Sequence, residues 1–271
     1  MALRINYNLA SSSAQRGLGA SQEAYAKQAT RLSTGLRINT ASDDAAGMAV
    51  SEKLKNQVRG LNQAQRNAQD GISLIQTAEG GLTEIHNILG RMRELAVQAN
   101  TDTLAVADRA NLNAEFTQLR AEVTRIANTV TFNGIALLNA TTSNTLQIGA
   151  NNGDTLAVAA TDNTGVTLAV SSNNVTDLTA AAAAITAIDA AVNTVSTNRA
   201  NFGAQQARLE SISRSIAVAS ENTAAANSRV ADADIAQSMS ELIRAQILQQ
   251  AGISVLAQAN QAPALVLQLL K

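Results

Sequence analysis

One stretch constrains the fold of this chain more than any other. Val50, Leu54, Gln57, Leu61, Ala64, Ala68, Gly71, Ile75, Ala78, Leu82, Ile85, Leu89, Met92 and Ala96 follow one another in alternating steps of four and three, and only Gln57 is polar. That is an apolar seam of period 3.5, the signature of a helix packed along its length against other helices. At 1.5 Å per residue such a helix runs about 70 Å, too long to stand without lateral neighbours.

The neighbours are visible in the same sequence. A second seam runs Ala105, Arg109, Leu112, Phe116, Leu119, Val123, Ile126, Val130, with Arg109 its one miss. A third runs Leu178, Ala181, Ile185, Ile188, Val192, Val195, Arg199, Phe202 and continues Gln205, Leu209, Ile212, Ile216, Ala219, Thr223, Ala226, Val230, shifting face near Gly203. Composition agrees with helix packing. Hydrophobic residues are 46% of the 271, aromatics only 2%, and there is one proline. Small aliphatic side chains suit close helix–helix seams, and a single proline permits long helices. The fold class expected is mainly α: an elongated antiparallel helical bundle with coiled-coil-like seams, paired terminal helices and a small β-hairpin insert.

The insert lies between the second and third seams. Leu146–Gly149 and Thr155–Val158 flank Asn151-Asn152-Gly153-Asp154, a hairpin signal, and Phe132-Asn133-Gly134 is another tight turn. Asp162-Asn163-Thr164-Gly165 punctuates again before Val166–Val170. Before the long seam, Leu9, Leu18, Tyr25, Ala29 and Leu32 form a sparse helical stripe, and Thr34–Asp44 breaks it, with Ser42 or Asp43 expected as the next N-cap.

The last stretch, Ala245–Leu270, carries no charge. Its six glutamines, Asn260 and Pro263 make it too polar for lipid, and its aliphatics make it too apolar to stay free in water. Ile235, Met239, Leu242, Ile243 and Ile247 begin its apolar face. With little else in the chain to bury it, its partner is expected in other copies. Both ends are therefore expected to be poorly ordered alone and to fold on assembly.

Chemistry-bearing residues are sparse. Cysteine is absent, so there is no thiolate nucleophile, disulfide or cysteine metal site. His86 is the one histidine, and a solvated flank position suits it better than a catalytic base. Asp43-Asp44 and Asp232-x-Asp234 fit no calcium loop and read as helix-terminus electrostatics. Asn139-Ala140-Thr141 and Asn174-Val175-Thr176 match the short N-glycosylation pattern. Arg91, Arg93 and Glu94 beside the seam read either as a solvated face with local ion pairs or as a lateral contact with another copy. A net charge of −1 argues against phosphate-driven nucleic-acid binding. No enzyme, metal or cofactor is expected, and Met1–Ser13 lacks the apolar run of a secretory signal.

Two groups of motifs closely resemble a known family. Arg31-Leu32-Ser33-Thr34-Gly35-Leu36-Arg37-Ile38-Asn39, Asp43-Asp44-Ala45-Ala46-Gly47, Asn67–Ser73, Arg93–Gln98 and Phe132-Asn133-Gly134 are similar to the N-terminal signature of bacterial flagellins. Arg244–Gly252 and Val255–Gln261 resemble the C-terminal signature. The resemblance implies a subunit that self-polymerises into the extracellular flagellar filament for swimming motility, exported unfolded by the flagellar type III apparatus. It implies a division into 1–42 and 232–271 as the two halves of an inner-core helical domain, 43–139 and 178–231 as the halves of an outer-core bundle, and 140–177 as a short insert replacing the family's variable domain. A thin, little-decorated filament is then expected. The implied partners are other copies of the chain, a flagellar export chaperone, hook-junction and cap proteins, and Toll-like receptor five, with no nucleic acid and no membrane insertion. Arg91, Leu95 and Glu115 match the positions by which that receptor reads the family. Inter-subunit packing is expected at Leu32, Ile38, Ile247, Leu248, Ile253, Val255, Leu256, Val266 and Leu269. A hook–filament junction protein is the alternative. A secreted coiled-coil effector inserting its tail into membrane is a more distant one.

Overall fold

The computed structural model describes residues 8–140, 143–159 and 161–269, with side chains as far as Gln261. The elements are α1 (Leu9–Thr34), α2 (Ala45–Ala99), α3 (Val106–Thr129), β1 (Thr131–Phe132), β2 (Ile135–Ala136), β3 (Asn144–Gln147), β4 (Thr155–Val158), α4 (Leu178–Ala231) and α5 (Ile235–Leu269). They fall into two compact units, Met1–Asn56 with Asn222–Lys271 and Gln57–Glu221. Both boundaries lie inside the continuous helices α2 and α4, so no turn or linker marks them.

The central unit is built on the long seam. From Leu61 to Ala96 every seam position of α2 is buried, Gly71 against Leu146 of the insert, and Leu74, Leu95 and Ala99 join them. Phe116, Val123 and Ala127 of α3 and Ala181, Ala184, Ile188, Ala191, Val195, Phe202 and Leu209 of α4 close the same core. Asn62 pairs with Ser220, Glu79 with Arg199 and Arg93 with Asp189, so α2 and α4 run antiparallel. Among the described residues α4 also holds an 18-residue window of mean hydropathy 1.5, apolar enough to cross a membrane by length and composition. Its alanine-rich start accounts for that value, and its inward residues belong to the bundle core.

The seams need two corrections. The first turns of the α2 stripe face outward: Val50 and Gln57 are exposed, and Ser51 is buried instead, its hydroxyl bonded to Asn227 Oδ1 at 2.8 Å. Arg109, the miss in the second seam, is itself buried. Its Nε donates to the Ala99 carbonyl at 3.0 Å and its Nη2 to Thr101 O at 2.6 Å, so a cation occupies a core position by capping the end of α2.

The hairpins form as expected. β1 and β2 pair through a two-residue turn in which Asn133 (φ 49°) and Gly134 (φ 78°) both take left-handed backbone, the conformation this connection requires. β3 and β4 pair with Leu146 opposite Leu156. Val166–Val170 is a turn rather than a strand, held by Leu168 N to Thr164 O and Val170 N to Gly165 O. The insert is also more than flank decoration, because Leu156, Val158, Leu168, Val170 and Val175 complete the core. Its strand ends are fastened to helices by Asn67 Nδ2 to Gln147 O and Ala159 N to Gln205 Oε1. Gly81 on α2 makes the close approach possible, since a Cβ there would stand 2.7 Å from Leu138 Cδ1 and 2.8 Å from Val130 Cγ2.

Candidate assembly interface

The terminal unit is an antiparallel pair, α1 against α5. Asn8 caps α1 through its Oδ1, accepting from Ser11 N, and its Nδ2 donates to the Ala259 carbonyl. Ser11 Oγ donates to Asn260 Oδ1 at the same end, and Gln28 Nε2 donates to Glu241 Oε2 further along. The inward positions of α5 are Ser238, Leu242, Ala245, Gln249, Gly252, Leu256 and Ala259, again a period of 3.5. Most are small or polar. Gly252 lets α5 approach Leu18, whose Cδ1 would lie 3.4 Å from a Cβ at that position.

The larger aliphatics of α5 point the other way. Of the residues that begin the expected apolar face, Ile235, Met239, Ile243 and Ile247 are exposed, and only Leu242 is partly covered. Ile247, Leu248, Ile253 and Val255 are exposed by 59, 53, 54 and 55%. Leu32 and Leu256 are half-buried, and Ile38 is buried within its own unit, with little surface left to offer. The side chains of Val266 and Leu269 lie outside the described residues.

The turn joining α1 to α2 is fixed by its two carboxylates. Asp44, not Ser42 or Asp43, caps α2, with Oδ1 accepting from Gly47 N at 2.8 Å. Asp43 reaches Lys27 Nζ at 2.6 Å and accepts from Asn39 N and Thr40 N. The Lys27 hydrogen bond, followed by those two amides, holds its carboxyl far below the usual carboxylate range. Asp234 accepts from Gln237 N. His86 is half-buried on the α2 flank, and its Nδ1 has no partner among the described residues.

Comparison with known proteins settles the family. Residues 5–143 match the bacterial flagellin N-terminal helical region and residues 185–270 the bacterial flagellin C-terminal helical region. The flagellin of Halalkalibacterium halodurans is 49% identical over 270 residues, spanning 98% of this chain and 99% of that one. The chain belongs to the bacterial flagellin family. The flagellin of Bacillus subtilis is 43% identical over 304 residues, 99% of this chain and 100% of that one. The crystal structure of Bacillus cereus flagellin superposes with a TM-score of 0.52 at 35% identity, covering 56% of this chain and 88% of that chain. Between the two matched regions of this flagellin lie residues 144–184, which contain the β3–β4 hairpin in place of any large outer domain.

Arg91, Leu95 and Glu115, the three positions expected for receptor recognition, do not share one surface. Arg91 Nε donates to Glu115 Oε1 at 2.9 Å across α2 and α3, and Arg91 Nη1 donates to Glu94 Oε2 at 2.9 Å. These side chains are half-exposed, and the hydrogen bonds to Glu94 first and then Glu115 raise the Arg91 pKa. Leu95 is 1% exposed and belongs to the bundle core.

Proposed function

We propose that this flagellin is a structural subunit that polymerises into the extracellular flagellar filament, with the outward face of the α1–α5 pair as its assembly surface. One observation carries the reading: small and polar residues line the intrachain seam, while Ile247, Leu248, Ile253 and Val255 stand more than half exposed on α5. Large aliphatics kept out of the intrachain seam are available for burial against other copies, at about 25 cal/mol per Å². Ordering the ends costs roughly 1–2 kcal/mol of backbone entropy per residue, so a pair with so thin a seam gains its stability inside the polymer. A heterologous contact that does not close generates a filament.

The division into inner-core ends and an outer-core bundle follows from the same reading. So do export through the flagellar type III apparatus and contacts with an export chaperone, hook-junction and cap proteins. The role is structural rather than catalytic. Recognition by Toll-like receptor five would use Arg91 and Glu115 from the exposed side. Deleting Gly252–Lys271 tests the reading: the truncated chain should stay soluble and helical yet add to no seed. Filaments grown from it would overturn the proposal. Growth of the intact chain without limit in electron micrographs separates a filament subunit from a junction protein.

A further inference from the structure

Cysteine is absent, so the oxidisable sulfurs of this chain are its methionines. They are not equally placed. Among the described residues, Met92 is fully buried in the bundle core, Met48 is half-buried, and Met239 on α5 is 44% exposed. Residues three and four positions to either side of Met239 share its side of the helix. They are Ile235, Ala236, Leu242 and Ile243, and none carries a polar atom on its side chain. Ile235 and Ile243 are exposed with it, whereas the adjacent Ser238 turns inward and is buried. Met239 therefore sits in the middle of an uncovered apolar stripe.

A thioether reacts with peroxide without ionising first, so access decides which methionine is oxidised. The sulfur of Met239 attacks one peroxide oxygen with a lone pair, and the O–O bond breaks as the S–O bond forms. The departing hydroxide takes the proton from the new S–OH group and leaves as water. Sulfur is oxidised to the sulfoxide and the peroxide is reduced. The product carries a hydrogen-bond acceptor on a side chain that was apolar. In the free chain water satisfies that oxygen. Covered by another copy it would need a donor, and the stripe around it holds none.

We propose that Met239 is an oxidation site that governs entry into the polymer: the sulfoxide form is rejected at the growing end, and copies already in place are shielded from peroxide. The proposal rests on the filament reading and adds a regulation to the same surface. The experiment treats full-length chain with hydrogen peroxide, maps oxidation by peptide mass spectrometry and follows helicity by circular dichroism. It then measures the concentration below which the chain fails to elongate seeds. Met239 should oxidise ahead of Met48 and Met92, and the treated chain should keep its helicity while that concentration rises at least about tenfold. A methionine sulfoxide reductase should reverse the rise. Met239→Leu has no sulfur at this position, so its own threshold, whatever its value, should not move on treatment, while Met48→Leu should respond as the parent does. In finished filaments Met239 should oxidise more slowly than in free chain. An oxidised chain that elongates like the untreated one, a Met239→Leu chain as sensitive as the parent, or equal oxidation rates in filament and free chain overturn the proposal. Failure of the untreated chain to elongate at all would instead overturn the filament reading on which it rests.

Discussion

Arg109 holds the end of α2 through the Ala99 carbonyl, 3.0 Å from its Nε, from a position on α3 that the apolar seam would otherwise fill with a hydrophobe. The last carbonyls of a helix have no partner within it, and here a buried guanidinium supplies one while its second nitrogen takes Thr101 O. Arg109→Met keeps much of the volume and strands both oxygens. Urea unfolding should show a loss of about 1–3 kcal/mol. Arg109→Lys should recover part of it, since an ammonium reaches one carbonyl better than two. Equal stability of the methionine variant and the parent would show that water satisfies these carbonyls.

That arginine also marks the limit of what periodicity reveals. The seam from Leu61 to Ala96 could be read because large aliphatics alternate with charged residues, so only one face can turn inward. At Arg109 the pattern reports a miss, because a polar side chain in a core position is justified only by backbone oxygens brought there by the tertiary fold. On α5 the sequence leaves the inward face open. Apolar residues occur nearly all round that helix, so hydrophobicity cannot choose a side, and close approach of α1 selects Ala245, Gly252 and Ala259 over Ile243 and Ile247. The insert hairpin was legible from Asn152-Gly153, but its contribution to the core was not, since four-residue strands are too short to show which face is buried.

Two adjacent glycines on α2 should respond oppositely to alanine. At Gly80 a Cβ meets nothing within 4 Å, so the substitution gains helix propensity and should stabilise by about 0.5–1 kcal/mol. At Gly81 the same atom runs into Val130 and Leu138, and Val130 is β-branched with restricted freedom to turn away. Overpacking of this kind costs about 1–3 kcal/mol, enough to exceed the propensity gain. Paired thermal melts of the two variants check the sign; a stabilised Gly81→Ala would mean that the β1–β2 hairpin lifts off without cost.

The turn at Asp43 should respond to acid in a defined direction. Its folded pKa is depressed by Lys27 and by the Asn39 and Thr40 amides. A depressed carboxylate contributes stability that is fully present above its unfolded pKa, close to 3.8, and is lost as pH falls through the lower folded value. The Lys27–Asp43 contact should therefore persist through mildly acid solution. In a carbon-13 titration the Asp43 carboxyl should titrate below the usual carboxylate range. Asp43→Asn should remove that part of the pH dependence while leaving Asp44 to cap α2.

Leu95 and Arg91 separate surface recognition from core packing on one helix. Truncating Leu95, which is 1% exposed, leaves a cavity in the bundle, and Leu95→Ala should destabilise it by about 2–5 kcal/mol in denaturant unfolding. Arg91→Ala removes a half-exposed pair with Glu94 and Glu115 and should leave the unfolding midpoint nearly unchanged, because exposed ion pairs are screened by water and salt. In a cell reporter assay with purified monomer, Arg91→Ala should abolish a receptor response directly. Leu95→Ala should weaken the response only insofar as the bundle loosens, and the more conservative Leu95→Met, which keeps the volume, should restore it. If Leu95→Met stays silent while its unfolding matches the parent, the receptor contacts this side chain itself, and α2 must expose it on binding.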